Sequence, residues 1–196
     1  FFETGGRSIT VPTDWFGRGD FAISLSRAEM DHRLLERARA VGVDVLEETS
    51  VTGVEYETGR VRAVRARSAD GSTTEIGADL FVDATGRSRV LSRSIDRQNE
   101  NAKHVKPSLV GFKTHVRDAD LQRGVCEIYS FAGGYAGLSH VEGDVANLCF
   151  LIDAGAVRSA GNNPDDVLDR VVRRNLRSEV TLRRATPAGD WLAVAI

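Results

Sequence analysis

The stretch Asp79-Leu80-Phe81-Val82-Asp83-Ala84-Thr85-Gly86-Arg87-Ser88 constrains this chain more than any other. Residues 80–82, with Ala84 beyond, read as a buried strand that stops at a Thr-Gly turn, and the basic run 88–93 reads as the start of a helix. A strand feeding a tight glycine turn and then a helix presents backbone N–H groups to an anionic ligand. A carboxylate at the strand end, here Asp83, stands where α/β folds commonly meet a ribose or a pyrophosphate. Such a junction needs layers around it, and the flanking sequence has to supply them.

On its N-terminal side, residues 21–25 read as a short strand and Ser26 as the cap of a helix that reaches about residue 40. Ser26-Arg27-Ala28-Glu29 fits a capping box, and Gly42 ends the helix. Met30, Leu34, Leu35, Ala38 and Val41 fall on one side as a stripe expected to be buried, while Glu29 and Arg33 form an i,i+4 pair on the other. Residues 43–46 then return as a strand, which completes a β-α-β passage of the parallel-sheet type. Strands at 50–56, 60–67 and 73–76 follow, turned at Thr58-Gly59 and Asp70-Gly71. Their alternation of Val with charged residues predicts a solvent-facing antiparallel meander.

After a polar stretch at 95–107, long strands are expected at 109–116, 125–131, 135–141 and 145–152, with turns at Gly133-Gly134 and Gly143-Asp144. Pro164 opens a helix expected over 165–175. The turn Thr186-Pro187-Ala188-Gly189 precedes a last strand expected to rejoin the first domain's sheet. The fold class expected is therefore α/β (α+β), with an antiparallel meander and a second antiparallel sheet.

Composition excludes more than it assigns. A net charge of −2, with Arg interleaved among Glu and Asp, leaves no basic footprint for nucleic acid. Cys126 and Cys149 sit in apolar runs without a CxxC or clustered His, so buried thiols are expected and no metal site. No run of about 18 apolar residues marks an integral membrane segment, and a cytoplasmic protein acting on a small molecule is the expectation. The chain starts at Phe1 without Met and stops on the apolar run Trp191-Leu192-Ala193-Val194-Ala195-Ile196, which leads us to expect an internal piece of a longer protein.

Three stretches together resemble the FAD-dependent monooxygenase and geranylgeranyl-reductase-like superfamily, of p-hydroxybenzoate hydroxylase fold. They are Ile23-Ser24-Leu25-Ser26-Arg27-Ala28-Glu29-Met30-Asp31 with Leu34-Leu35, the Asp83-Ala84-Thr85-Gly86 turn with its flanks, and Tyr129-Ser130-Phe131-Ala132-Gly133-Gly134-Tyr135-Ala136-Gly137-Leu138-Ser139 followed by Asn147-Leu148. The resemblance implies a partial FAD-binding, Rossmann-like domain over 1–96, a substrate domain of antiparallel sheet and helix over 97–185, and a strand at 186–196 returning to the FAD-binding domain. Two motifs of the family have no counterpart in the sequence: the GxGxxG turn that would precede it, and a Gly-Asp pair after a strand like 192–196.

From the same resemblance, Arg27 would reach the FAD pyrophosphate from the first turn of its helix, and Val51 would offer backbone to the adenine. Asp83, Thr85 and Gly86 would form one wall of the cofactor site, with Arg87 facing the cofactor phosphates or NAD(P)H. Gly133, Gly134 and Tyr135 would lie near the flavin ring and substrate, and Phe131, Leu138 and Phe150 with Tyr135 would line an apolar pocket. His115 and His140 read as structural, and no catalytic residue is named, because the flavin carries out the redox step. The activity implied is an NAD(P)H-dependent FAD monooxygenase or double-bond reductase. The alternative is a non-catalytic α/β module that binds a nucleotide or a protein.

Overall fold

A computed structural model describes residues 8–17, 23–86, 89, 93 and 108–196. It is a mixed α/β fold with two antiparallel sheets. The described residues fall into two compact units, one from Phe1–Arg33 with Lys106–Ile196 and the other from Leu34–Val105. Boundaries were expected at 96/97 and 185/186, and residues 186–196 fall in the unit of the larger sheet.

In the smaller unit, β1 (Thr49–Glu57), β2 (Arg60–Ser68) and β3 (Thr73–Gly77) form the expected meander in the order β1-β2-β3. Thr58 and Gly59 both take positive φ, the requirement of a tight hairpin turn between right-twisted strands. Ala63, Val64 and Ala66 of the central strand are buried.

The parallel sheet expected around the Asp83 junction is not formed among the described residues. Residues 23–25, 43–46 and 80–85 join no ladder, and all strand pairings among the described residues are antiparallel. A parallel strand is stable when both its faces are covered, whereas Leu80 and Val82 are 79% and 77% exposed. Residues 21 and 22, and most of 87–107, lie outside the described residues.

Helix α1 (Arg27–Ala40) starts where expected, with Ser26 Oγ accepting from Glu29 N at 3.1 Å. The second leg of the capping box is replaced. Glu29 pairs with Arg33 at 2.6 Å, and Ser26 N donates instead to Glu142 Oε2 at 3.0 Å. These hydrogen bonds from the Ser26 side chain and backbone hold the Glu142 carboxyl below its ordinary range. The apolar stripe of α1 is not buried: no residue of the helix is fully covered.

The larger unit is built on a sheet of order β5-β6-β7-β4-β8, with β9 also pairing β4. Its strands are β4 (Leu109–Arg117), β5 (Cys126–Phe131), β6 (Gly134–His140), β7 (Ala146–Asp153), β8 (Thr186–Pro187) and β9 (Leu192–Ala195). The last strand therefore does not return to the first domain's sheet. It runs antiparallel to Val110–Lys113 on the edge of β4, held down by Trp191, whose ring meets Phe150 at 5.4 Å and whose Nε1 donates to Asp165.

One face of this sheet is covered by α2 (Ala154–Ser159), α3 (Pro164–Arg170) and α4 (Leu176–Leu182). Tyr129, Leu138, Leu148 and Ile152 pack there against Val157, Val167, Val172 and Leu182. The helix expected over 165–175 stops at Arg170, and α4 restarts after Asn175, whose Oδ1 accepts from Arg177 N and Ser178 N. Asp153 caps α2 in the same way.

Beneath α4 the Glu127 carboxylate, 4% exposed, is fully engaged. Oε1 accepts from Arg177 Nε (2.9 Å) and Nη2 (2.5 Å), and Oε2 accepts from Tyr129 Oη (2.6 Å) and Thr181 Oγ1 (2.8 Å). Burial alone would raise this carboxyl's pKa, but the hydrogen bonds from Arg177, Tyr129 and Thr181 outweigh it and hold the group below its usual range. A carboxyl depressed in the folded state stabilises above its unfolded pKa, about 4.3, and that contribution is lost as pH falls through the lower folded value. Glu127→Gln is accordingly expected to lower stability at pH 7 by about 2–4 kcal/mol, the low side reflecting the half-exposed Arg177. Urea unfolding at pH 7 and across pH 5 to 2 checks both points: the variant should lose less stability than the parent over the acid range.

Candidate functional site

Strand periodicity divides the larger sheet into a covered face and an open one. Along β4, Phe112, Thr114 and Val116 point into the core, and Gly111, Lys113 and His115 occupy the alternate positions. On β7 the open positions are Asn147, Cys149 and Leu151. The registers place Gly111 opposite Leu151, Lys113 opposite Cys149 and His115 opposite Asn147. Tyr135 lies beside Leu151 from β6, while Leu192 and Val194 of β9 flank Lys113 and Gly111.

All of these open-face residues except His115 and Asn147 line a cavity of about 400 Å³ whose walls are almost entirely apolar. Gly111 contributes to it by absence, because a Cβ there would stand 3.3 Å from the Val194 side chain. Lys113 is the one charged residue of the lining.

Of the expected pocket residues, Tyr135 lines this cavity at 47% exposure, and Phe150 borders it. Phe131 and Leu138 belong to the core under the helices. Gly133 (φ 80°) makes the β5–β6 turn. Gly134 has a stricter role: a Cβ at this position would stand 2.0 Å from Leu151 O and 3.0 Å from Ile152 Cα. The strands β6 and β7 approach too closely there for any side chain.

The other expected residues are distributed as follows. Arg27, in the larger unit's part of the chain, has an exposed guanidinium paired with Asp31 at 3.0 Å. Val51, Asp83, Thr85 and Gly86 belong to the smaller unit. Val51 pairs with Ala66 on β1. Asp83 Oδ1 accepts from both Thr85 N (3.1 Å) and Thr85 Oγ1 (2.5 Å), an Asx-type turn. Gly86 follows at φ 61°, with nothing within 4 Å of where a Cβ would stand. Arg87 lies outside the described residues.

The cysteines are not the buried thiols expected. Cys126 is exposed and Cys149 half-buried, both reduced and both on the open face. Partial burial, then the neighbouring Cys149 and Glu127, push the Cys126 thiol up, away from the thiolate a nucleophile needs. His140 is anchored through Nε2, which meets Leu121 O at 2.9 Å. No group of three metal-ligating side chains occurs among the described residues. No helix among them is long and apolar enough to cross a membrane.

Lys113, Leu151, Leu192 and Val194 were missed as site residues from sequence. The signal was present in β4, where one alternate set is Val, Phe, Thr and Val and the other is Gly, Lys and His.

The family model for tryptophan halogenase matches residues 5–126. No curated protein matches the chain. Among solved structures, the myxobacterial chondrochloren halogenase CndH, a variant of FAD-dependent halogenases, is 20% identical, with a TM-score of 0.72 over 89% of this chain and 41% of that one. A triple mutant of the flavin-dependent brominase Bmp2 is 19% identical, with a TM-score of 0.71 over 88% and 44%. A geranylgeranyl bacteriochlorophyll reductase-like protein from Thermoplasma acidophilum is 15% identical, with a TM-score of 0.68 over 87% and 42%. At these identities the likeness is one of fold, and the chain spans less than half the length of these relatives.

Gly134→Ala is expected to cost more than about 3 kcal/mol, because backbone rather than a flexible side chain must yield. Gly137→Ala, whose Cβ would meet Ile128 Cδ1 at an ordinary 3.4 Å, is the control and should cost under about 1 kcal/mol. Denaturant unfolding of the two variants compares them directly.

Proposed function

This chain belongs to the tryptophan halogenase family, and we propose that the whole protein is an FAD-dependent oxidoreductase acting on an apolar or aromatic small molecule. The observation that carries the reading is the open sheet face with its apolar cavity of about 400 Å³, within the size range of small-molecule sites.

The residues present suit a dinucleotide. Arg27 would hold the pyrophosphate: its pair with Asp31 is exposed, worth about 0–1 kcal/mol, so little opposes its redirection to a ligand. The Asp83–Gly86 turn offers a carboxylate and, at Gly86, bare backbone with open space where a side chain would be. Val51, Thr85 and Arg87 complete the set we assign to FAD, and Gly133, Gly134 and Tyr135 the set near the substrate. When bound, FAD supplies the redox chemistry, with NAD(P)H as the source of electrons. This chain's own residues bind and orient: the cavity excludes water from an apolar ring, and Tyr135 forms part of its wall.

Within this reading we favour the oxidative branch, with halide as co-substrate and an electron-rich ring as acceptor, because two of the similar folds are a halogenase and a brominase. Double-bond reduction is the second reading, supported by the geranylgeranyl bacteriochlorophyll reductase-like neighbour.

The test is made on the whole gene product purified with FAD. It should carry bound flavin visible in its absorption spectrum, and Arg27→Ala should weaken FAD binding about tenfold. With reduced flavin, oxygen and bromide, indole as a probe should gain bromine by mass spectrometry. Failure to bind flavin at all would overturn the reading in favour of a non-catalytic module. Bound flavin that reduces a prenyl double bond but never halogenates would select the second branch.

A further inference from the structure

We propose that Glu142 is a positioning residue for the cofactor site: from the turn between β6 and β7 it holds the first turn of α1, and with it Arg27, on the same strand frame that carries Tyr135. The inference deepens the proposed function, and it rests on that reading for Arg27 meeting the FAD pyrophosphate.

The start of a helix is aimed by its N-cap residue, whose own backbone is not yet helical. In a capping box the N-cap amide is taken by the carboxylate three residues on, so both ends of the device belong to the helix itself. Here that carboxylate, Glu29, is engaged with Arg33, and the Ser26 amide donates to Glu142 Oε2, 116 residues away. A local contact is exchanged for a long-range one. Two residues earlier, Ser24 Oγ donates to Ser139 Oγ at 2.9 Å. Two anchors on one short segment fix its direction as well as its place, which a single anchor would not.

The anchoring points sit on a firm base. Ser139 is held in the ladders of β6 with both neighbours, opposite Cys126 and Asn147. The turn that carries Glu142 is closed by Val141 N donating to Val145 O at 3.0 Å and by the ion pair of Asp144 with Arg123. Along the open face, Gly111, Leu151 and Tyr135 give way at this end to His115, Asn147 and Ser139. The two serines of the segment therefore touch down at the hydrogen-bonding end of the face and not at the apolar one.

Arg27 follows the second anchor directly, its Cα about 3.8 Å from that of Ser26. Its guanidinium pairs with Asp31, one turn along the same helix, and no hydrogen bond or ion pair beyond α1 orients it among the described residues. Where α1 begins is what sets where Arg27 stands. Tyr135 lies on β6 about 13 Å along the strand from Ser139, so one strand spaces the cavity wall from the arginine.

The test is titration of the whole gene product, freed of flavin, with FAD. It compares the parent with Glu142→Ala, Glu142→Gln, Arg27→Ala and the double variant of Glu142→Ala with Arg27→Ala. Glu142→Ala should weaken FAD binding about fivefold, and in the Arg27→Ala background it should cost nothing further, as for two residues acting through one contact. Glu142→Gln should bind as the parent does, because its amide oxygen still accepts from Ser26 N. Hydrogen exchange of the flavin-free protein reads the anchor by itself: the Ser26 amide should exchange about fivefold faster in Glu142→Ala and at the parent's rate in Glu142→Gln. Thermal unfolding verifies that each variant is folded. Losses that multiply in the double variant, a Glu142→Gln as weak as Glu142→Ala, or unchanged binding or exchange in Glu142→Ala would overturn the inference. Faster Ser26 exchange in Glu142→Ala of a protein that never binds flavin would sink the proposed function alone, and bound flavin with multiplied losses would sink this inference alone.

Discussion

The Glu127 carboxylate is the constraint on which the larger unit depends. It lies on β5 under α4, and each of its oxygens is engaged by side chains from the strand or the helix. A buried charge with this many partners is tolerated; one that lost them would be severely destabilising. The helix can therefore occupy one register on the sheet and no other. Asn175 repeats the constraint one turn earlier, donating to Ser130 O while its Oδ1 caps α4. With α4 fixed, Val167, Val172 and Leu182 close over the sheet, and the covered face is decided.

Once one face is committed, the other follows from the period of two in a strand. Every residue between core positions of β4, β6 and β7 must face away from the helices, whatever its chemistry. That is why Lys113 can stand in the middle of a sheet. Close packing of strands adds the second condition: Gly134 lets β6 meet β7 with no room for a side chain on the covered face, which fixes the strand that carries Tyr135. Rigidity on one face and vacancy on the other are two results of the same packing, and a rigid floor is what a ligand site requires.

The sequence carried local signals well and long-range ones poorly. The meander was legible because Thr58-Gly59 and Asp70-Gly71 specify hairpins from their own chemistry. The four long strands were legible within one or two residues for the same reason. What could not be read was which strand would accept the segment at 192–195, because pairing on an edge depends on which edge is open. The stripe of α1 and the apolar run 80–82 had the right period and composition for burial, but burial needs a partner surface and period alone does not provide one. The helix over 165–175 was misjudged because Asn175 caps a new helix instead of ending the old one. At the candidate site, the turn at Gly133-Gly134 was visible in sequence, while the packing of Gly134 against β7 and the place of Lys113 required the sheet register to be known.

Burial also separates residues that hold the fold from those suited to bind. Arg177 and Arg27 are the same side chain in opposite circumstances. The first reaches a carboxylate that is 4% exposed, where removing a partner strands a charge in the interior. The second reaches Asp31 across solvent, where the pair contributes about 0–1 kcal/mol and is screened by salt. A charge-assisted contact to an anionic ligand is worth about 1.5–3 kcal/mol, so exchange of partners is uphill for Arg177 and downhill for Arg27. Lys113 stands between these cases, half-buried in mid-strand with no ion-pair partner among the described residues.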